Sequence, residues 1–368
     1  MTYRFRVGAR RSGSWSTTVF VAPGALEPAA AAIARAHRDA LKIVVSDARV
    51  ARLHGRRFLS LLARRGAAAR LLTFPSGERA KTRDTKARLE DELFELGAGR
   101  DTVVVALGGG VTGDLAGFLA ATWNRGVPLI SVPTSLLAMV DAGLGGKTGV
   151  NLPGAKNVVG AFHQPVSLWA DVRLLRTLPA RTYRAGLAEA VKTAAVLDAG
   201  LFGYLEANVR RLLLREERVL ATMVARCLAL KGRLVARDER DAGVRAVLNF
   251  GHTAAHAIEA VTGFRVPHGE AVSMGVVAEA RLARDVTGFP AAHAERIEDL
   301  LRAFGLPVRP PRGIDPQELL RAFLSDKKTR KAAVRCALPL SIGRMPPGAD
   351  PTVSVDNARD LLQLLIGN

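Results

Sequence analysis

Four short runs of β-branched and aliphatic residues, at 41–47, 69–74, 102–107 and 129–133, alternate with stretches of helical spacing such as 82–96. Continuous apolar runs of this length read as strands buried on both faces, and strand–helix alternation points to a parallel sheet covered by helices. Residues 1–24 alternate around a Gly/Ser break, as two short strands or a hairpin do, and the Ala-rich stretch 27–37 reads as a helix. Beyond Pro179 the texture changes. Residues 185–196, 201–217, 219–237, 252–262, 269–286, 292–304 and 316–324 all carry helical spacing. The chain is therefore expected to divide near residue 180, into an α/β parallel-sheet domain over 1–180 and an all-α domain over 181–368.

Composition narrows the function classes. With 48% hydrophobic and 24% charged residues, the chain can bury a substantial core, which excludes disorder and fibre. Lys and Arg number 53 against 34 Asp and Glu, a formal net charge of +19 that raises the question of nucleic acid or an anionic membrane. Only ten of the 53 are lysines, the arginines are scattered, and aromatics make up 5%. No basic stripe is interleaved with aromatics, so no nucleic-acid partner is expected, and anionic small molecules remain. Cys227 and Cys336 lie far apart in apolar stretches, which suits a reducing compartment. Arg10-Arg11 is followed by polar residues in place of an apolar signal core, and no 18-residue apolar run exists. A cytoplasmic location without membrane contact is expected.

Three groups of residues carry chemistry. Gly108, Gly110 and Gly113 form a GxGxxG loop between the third apolar run and a helical stretch, a context in which backbone amides hold a pyrophosphate. The ribose-binding acid usual about 20 positions later is missing, since no Asp or Glu occurs between Asp114 and Asp141. Asp47, and the turn 75–78 with Lys81, offer acidic and basic groups for ribose and adenine instead. In the glycine-rich turn 141–148, Ala142 stands where a Walker A loop needs its first glycine, so that reading is rejected.

Glu189 and Lys192 share one face of an otherwise apolar helix. His252 and His256 stand one helical turn apart, with His268 twelve residues on, and Glu189 can add an oxygen ligand. This set fits a three-ligand Zn²⁺ site with one open position, and spacing leaves open which two histidines ligate. Lys147, Lys156, Lys231, Arg245 and the run at 326–330 imply a substrate with phosphate and carboxylate groups.

Gly-Gly-Gly-Val-Thr-Gly-Asp (108–114), the stretch from Val132 to Thr148, Gly-Leu-Ala-Glu-Ala-Val-Lys (186–192), Asn-Phe-Gly-His-Thr (249–253), His-Gly-Glu-Ala-Val (268–272) and Asp-Lys-Lys (326–328) occur in order. From about residue 40 to 345 the chain resembles the 3-dehydroquinate synthase family of sugar phosphate cyclases. The resemblance implies a Rossmann-like NAD domain followed by a helical metal-binding domain. It implies conversion of 3-deoxy-D-arabino-heptulosonate 7-phosphate to 3-dehydroquinate by transient NAD oxidation, phosphate elimination, re-reduction and intramolecular aldol closure. Sister cyclases making aminodehydroquinate, 2-deoxy-scyllo-inosose or a valiolone are the alternative.

By the family's pattern Glu189, His252 and His268 bind Zn²⁺, with Co²⁺ as the other candidate, and His256 lies near the substrate phosphate. Lys147, Asn157, Asn249 and one of Lys327 and Lys328 hold that phosphate, Lys231 and Arg245 take the carboxylate, and Lys192 orients substrate oxygens. Arg125 reaches the phosphate in a neighbouring subunit, which implies a homodimer. Asp47, Glu78, Lys81, Gly109, Gly110, Asp114, Thr134, Ser135, Asp141, Lys147 and Lys156 fall at NAD-contacting positions, Asp141 also near substrate. Arg49, Ala254, Ala255 and Asp241 depart from the family's usual residues.

Overall fold

The apolar runs become the central strands of one sheet. The computed structural model describes residues 1–9, 15–153, 155–325, 334–348, 350–355 and 358–366. It groups them into two compact units, one of Met1–Leu178 with Leu220–Ala236, the other of Pro179–Val219 with Arg237–Asn368. The division expected at residue 180 differs from this by the returning segment 220–236. That segment belongs to the helix Glu217–Arg237 and lies against the first strand: Gly232 faces Val7 too closely for any side chain, and Tyr3 Oη meets Thr222 Oγ1 at 2.8 Å.

In the N-terminal unit, β1 (Tyr3–Gly8), β2 (Ser16–Ala22), β3 (Lys42–Asp47), β4 (Ala69–Phe74), β5 (Val103–Gly108), β6 (Leu129–Pro133) and a later strand Ser167–Asp171 form a seven-stranded sheet. Between β6 and that strand, β7 (Lys147–Leu152) and β8 (Ala155–Phe162) make a separate antiparallel hairpin, so Ser167–Asp171 is β9. The sheet order is β1-β2-β9-β6-β5-β3-β4, and only the edge pair β1–β2 is antiparallel. β5 and β6 are buried throughout, as strands covered on both faces must be, whereas edge strand β4 alternates. Ile43, Val45, Val104, Ala106 and Leu129 pack with Leu89, Leu93, Leu115 and Leu119 from the covering helices. From β3 the chain moves outward to β4 and then returns to the other side of β3 as β5. That reversal is a topological switch point, where ligands of such sheets bind beyond the carboxyl ends of the strands.

The second unit is helical, with one small antiparallel ribbon of β10 (Val334–Cys336) and β11 (Val353–Val355). Its middle is built by Ala180–Leu197, His252–Val261 and His268–Thr287. The first and third are buried along most of their length because their sequences are apolar on nearly every face. Two glycines let these helices meet backbone to backbone. A Cβ on Gly269 would sit 2.0 Å from the Ala185 carbonyl oxygen, and one on Gly275 2.0 Å from that of Gly251.

Candidate active site

At the switch point β5 ends in Gly108, and the helix Gly110–Thr122 starts immediately after Gly109. Its first amides are unsatisfied within the helix and sit at the positive end of the helix dipole, the arrangement that receives a phosphate group. Gly113 faces open space, and the loop after β6 borders the turn: Thr134 N donates to Gly108 O at 2.9 Å, and a Cβ on Gly109 would lie 3.3 Å from Ser135 Oγ. Across the switch point, β3 ends in Asp47, whose Oδ1 accepts from the amides of Arg49 and Val50 and from Ser76 Oγ at 2.7 Å. The glycine turn and Asp47 therefore stand at the carboxyl ends of two adjacent parallel strands, β5 and β3. Ser76 was not singled out by sequence, because a serine in a turn has no distinguishing spacing.

Buried Lys81 links Asp114, on the glycine-loop helix, to the Asn157 side chain. Burial raises the Asp114 carboxyl above its ordinary value, and the Lys81 ammonium works against that rise. Glu78 Oε1 accepts from Asn151 Nδ2 at 2.8 Å. Lys231, on the returning helix, is buried and donates to both the carbonyl and the carboxylate of Asp141, at 2.8 and 2.5 Å. Lys147 and Lys156 lie on the β7–β8 hairpin, the first exposed and the second half-buried. Arg125 is exposed in a turn where both it and Asn124 have left-handed backbone, φ 69° and 48°. Asn157 falls beside Lys81, among the proposed dinucleotide residues.

In the helical unit three side chains converge. Glu189 Oε1 lies 3.2 Å from His268 Nε2 and 3.6 Å from His252 Nε2, and one ligand atom from each residue fits within 4.8 Å of the others. Lys192 Nζ meets Glu189 Oε2 at 2.7 Å, and both side chains are essentially inaccessible, at 1% and 0% exposure. A pair taken out of water to this degree carries a desolvation cost that a surface ion pair does not, so its retention points to a functional site.

Burial works against a charged Glu189, but Lys192 and the two imidazoles hold its carboxyl well below the usual range. Burial, with Lys192 nearby, keeps His252 well below the ordinary imidazole value and hence neutral. For His268 burial is outweighed by hydrogen bonds to Glu189 and Glu259, which push it up to about 10.

The donor chemistry fits a divalent metal. His252 Nδ1 faces the Phe250 carbonyl at 3.3 Å and His268 Nδ1 faces Glu259 Oε2 at 3.3 Å, so both rings turn Nε2 toward Glu189. A carboxylate and two imidazole nitrogens with an outer acceptor on each ring form a three-ligand set of the Zn²⁺ type. Of the histidine choices left open by spacing, the geometry selects His252 and His268. His256 is exposed, its ring edge-on to His252 with centroids 5.6 Å apart. Arg245 is buried with Nη1 on the Glu239 carbonyl, and Asn249 ends the same short helical turn. Lys327 and Lys328 lie outside the described residues.

Sequence reasoning missed Glu259 and Glu279, both buried in the second unit. Each is a lone acid within an apolar helical run, and that was the available signal.

The family description 3-dehydroquinate synthase N-terminal matches residues 71–185, and 3-dehydroquinate synthase C-terminal matches 186–329. The 3-dehydroquinate synthase of a Synechococcus species is 44% identical over 306 residues, covering 82% of this chain and 83% of the relative. Among solved structures, 2-deoxy-scyllo-inosose synthase complexed with carbaglucose-6-phosphate, NAD⁺ and Co²⁺ superposes with a TM-score of 0.90 at 26% identity, covering 99% of both chains. The 2-epi-5-epi-valiolone synthase of Streptomyces hygroscopicus subsp. jinggangensis, with NAD⁺ and Zn²⁺ bound, gives a TM-score of 0.84 at 30% identity, covering 98% of both. The expected fold class, a Rossmann-like α/β domain followed by a helical domain, is borne out. From the ordered motifs, the Glu189–His252–His268 cluster and these matches, the chain belongs to the 3-dehydroquinate synthase family.

Proposed function

We propose that this chain converts 3-deoxy-D-arabino-heptulosonate 7-phosphate to 3-dehydroquinate and phosphate, with NAD and one divalent metal ion per chain. The observation that carries the reading is the Glu189–His252–His268 cluster beside buried Lys192 in a chain of this family. Identity to curated 3-dehydroquinate synthases of 40–46% favours this reaction over those of the sister cyclases, which match at 26–30%.

When bound, NAD would supply a hydride acceptor and Zn²⁺ or Co²⁺ a Lewis acid for a substrate oxygen. Glu189, His252 and His268 hold the metal. Lys192, fixed by Glu189, presents its ammonium to the substrate oxygens and orients them. The amides after Gly109 receive the pyrophosphate, while Asp47, Glu78, Lys81, Asp114, Thr134, Ser135 and Lys156 line the dinucleotide. Lys147 and a lysine of the 327–328 pair neutralise the substrate phosphate, which lowers the cost of its departure, while Asn157 and Asn249 hold it by hydrogen bonds and His256 lies near it. Lys231 and Arg245 take the carboxylate, with Asp141 holding Lys231 in place. Arg125 serves a neighbouring subunit in a homodimer, and the enzyme works in the cytoplasm.

The test is phosphate release from the heptulosonate 7-phosphate with NAD and Zn²⁺, with the product identified by mass and absorbance followed for NADH. Equimolar phosphate and dehydroquinate without NADH build-up is expected. Turnover of glucose 6-phosphate alone would move the chain to the sister cyclases, and steady NADH growth would make it a dehydrogenase.

A further inference from the structure

We infer that Glu279 is a positioning residue for the metal site, paired reciprocally with Glu259, so that each of two helices carries one histidine and one carboxylate holding the other's histidine. His252 is the first residue of the helix His252–Val261, and His268 the first of His268–Thr287. Glu259, seven residues after His252, reaches back to His268 Nδ1 at 3.3 Å. Glu279, eleven residues after His268, reaches the start of the His252 helix. Its Oε2 accepts from Gly251 N at 2.7 Å, and its Oε1 from Thr253 N at 3.0 Å and Ala254 N at 3.2 Å. Amides on both sides of His252 are thus tied to one carboxylate.

The arrangement follows from how closely the helices pack. Helix starts are ordinarily capped by their own Ser, Thr, Asp or Asn, but the capping position here is Gly251, with left-handed backbone at φ 80°. A Cβ there would lie 2.7 Å from Val276 N and 2.5 Å from Val276 Cγ2. No capping side chain fits, so the cap comes from the neighbouring helix. Glu279 is 0% exposed, and a carboxylate so buried needs strong compensation, which the helix dipole and three N–H donors provide. A glutamine would offer one acceptor oxygen where two are used, and its amide group would face an N–H.

This inference rests on Glu189, His252 and His268 being metal ligands. Its test compares wild type, Glu279→Gln, Glu259→Gln and a control at the exposed Glu295, Glu295→Gln. Zn²⁺ affinity is measured by competition with a chromophoric chelator, alongside thermal melting with and without Zn²⁺. Both buried variants should bind Zn²⁺ about 10–100-fold more weakly, with turnover recovering at saturating Zn²⁺ and the control unchanged. A Glu279→Gln protein that melts earlier but binds Zn²⁺ as tightly as wild type would show a purely structural cap and overturn the inference. If Glu279→Gln is unfolded as purified, rising Zn²⁺ must restore the fold, because a ligand binding only the native state stabilises it. Failure to refold at any Zn²⁺ concentration overturns the inference as well. Absence of Zn²⁺ binding in wild type would instead remove the metal-site reading beneath it.

Discussion

The two halves of this chain build their sites from opposite materials. At the end of β5 the working groups are backbone amides, and what matters is that no side chain intrudes, so glycine is the informative residue. In the helical unit the groups are side chains, Glu189 and Lys192 sealed from water and the two histidines partly exposed, and each charge has a partner: Glu189 has Lys192 and two imidazoles, and His268 has Glu259. A backbone site is broken by adding one carbon atom. A buried ionic site is broken by removing one partner, which leaves the other uncompensated.

The largest effect is expected from His252→Ala. Losing a metal ligand removes Lewis-acid stabilisation worth several kcal/mol, so phosphate release should fall by about 10³-fold or more, with metal content falling in parallel. Near-normal turnover with no bound metal would break the comparison on its ionic side. Lys192→Met should cost about 1–3 kcal/mol of stability in metal-free protein, because it takes the ammonium from a Glu189 carboxylate at zero exposure and leaves it only the imidazoles of His268 and His252. Denaturant melts check this, and added Zn²⁺ should recover part of the loss.

Gly108→Ala sharpens the other side. The new Cβ would lie 2.2 Å from Thr112 Oγ1, inside the buried turn, for a cost of about 1–3 kcal/mol. NAD affinity measured by calorimetry should drop while Zn²⁺ affinity stays as in wild type.

The smallest effect concerns Asp238. Burial works against its charge, but the amides of Ala242, Gly243 and Arg245 outweigh burial and lower its carboxyl below the ordinary value. With the folded value depressed, its stabilisation is complete above the unfolded value of about 4 and is lost as pH falls through the folded one. Asp238→Asn should therefore melt earlier than wild type at pH 7, and the difference should shrink as pH falls below about 4. A constant difference across that range would argue against this anchor for the turn carrying Arg245.

The contrast also explains what could be read before folding. The sheet strands were legible because 102–107 and 129–133 are apolar without interruption, and the glycine loop because it stands between strand and helix. Glu189 and Lys192 were visible as a charged pair in an apolar helix, although only the structure shows them sealed from water. The β7–β8 hairpin was not legible, since its glycines at 149 and 160 read as loop and serve instead to let two backbones approach. The stretch 201–217 looked like one helix but breaks at Asn208, where backbone geometry departs from helical. Choosing between His252 and His256 as ligand needed the ring orientations. Glu279 was hidden because its partners are backbone amides, which have no signature in sequence.

The central claim is that one chain carries two separately built sites, and the direct measurement is calorimetric titration of wild type and Glu189→Gln with NAD and with Zn²⁺. The account predicts that wild type binds one of each and that Glu189→Gln loses Zn²⁺ while its NAD affinity stays within about twofold. Zn²⁺ bound equally tightly by both proteins would contradict it.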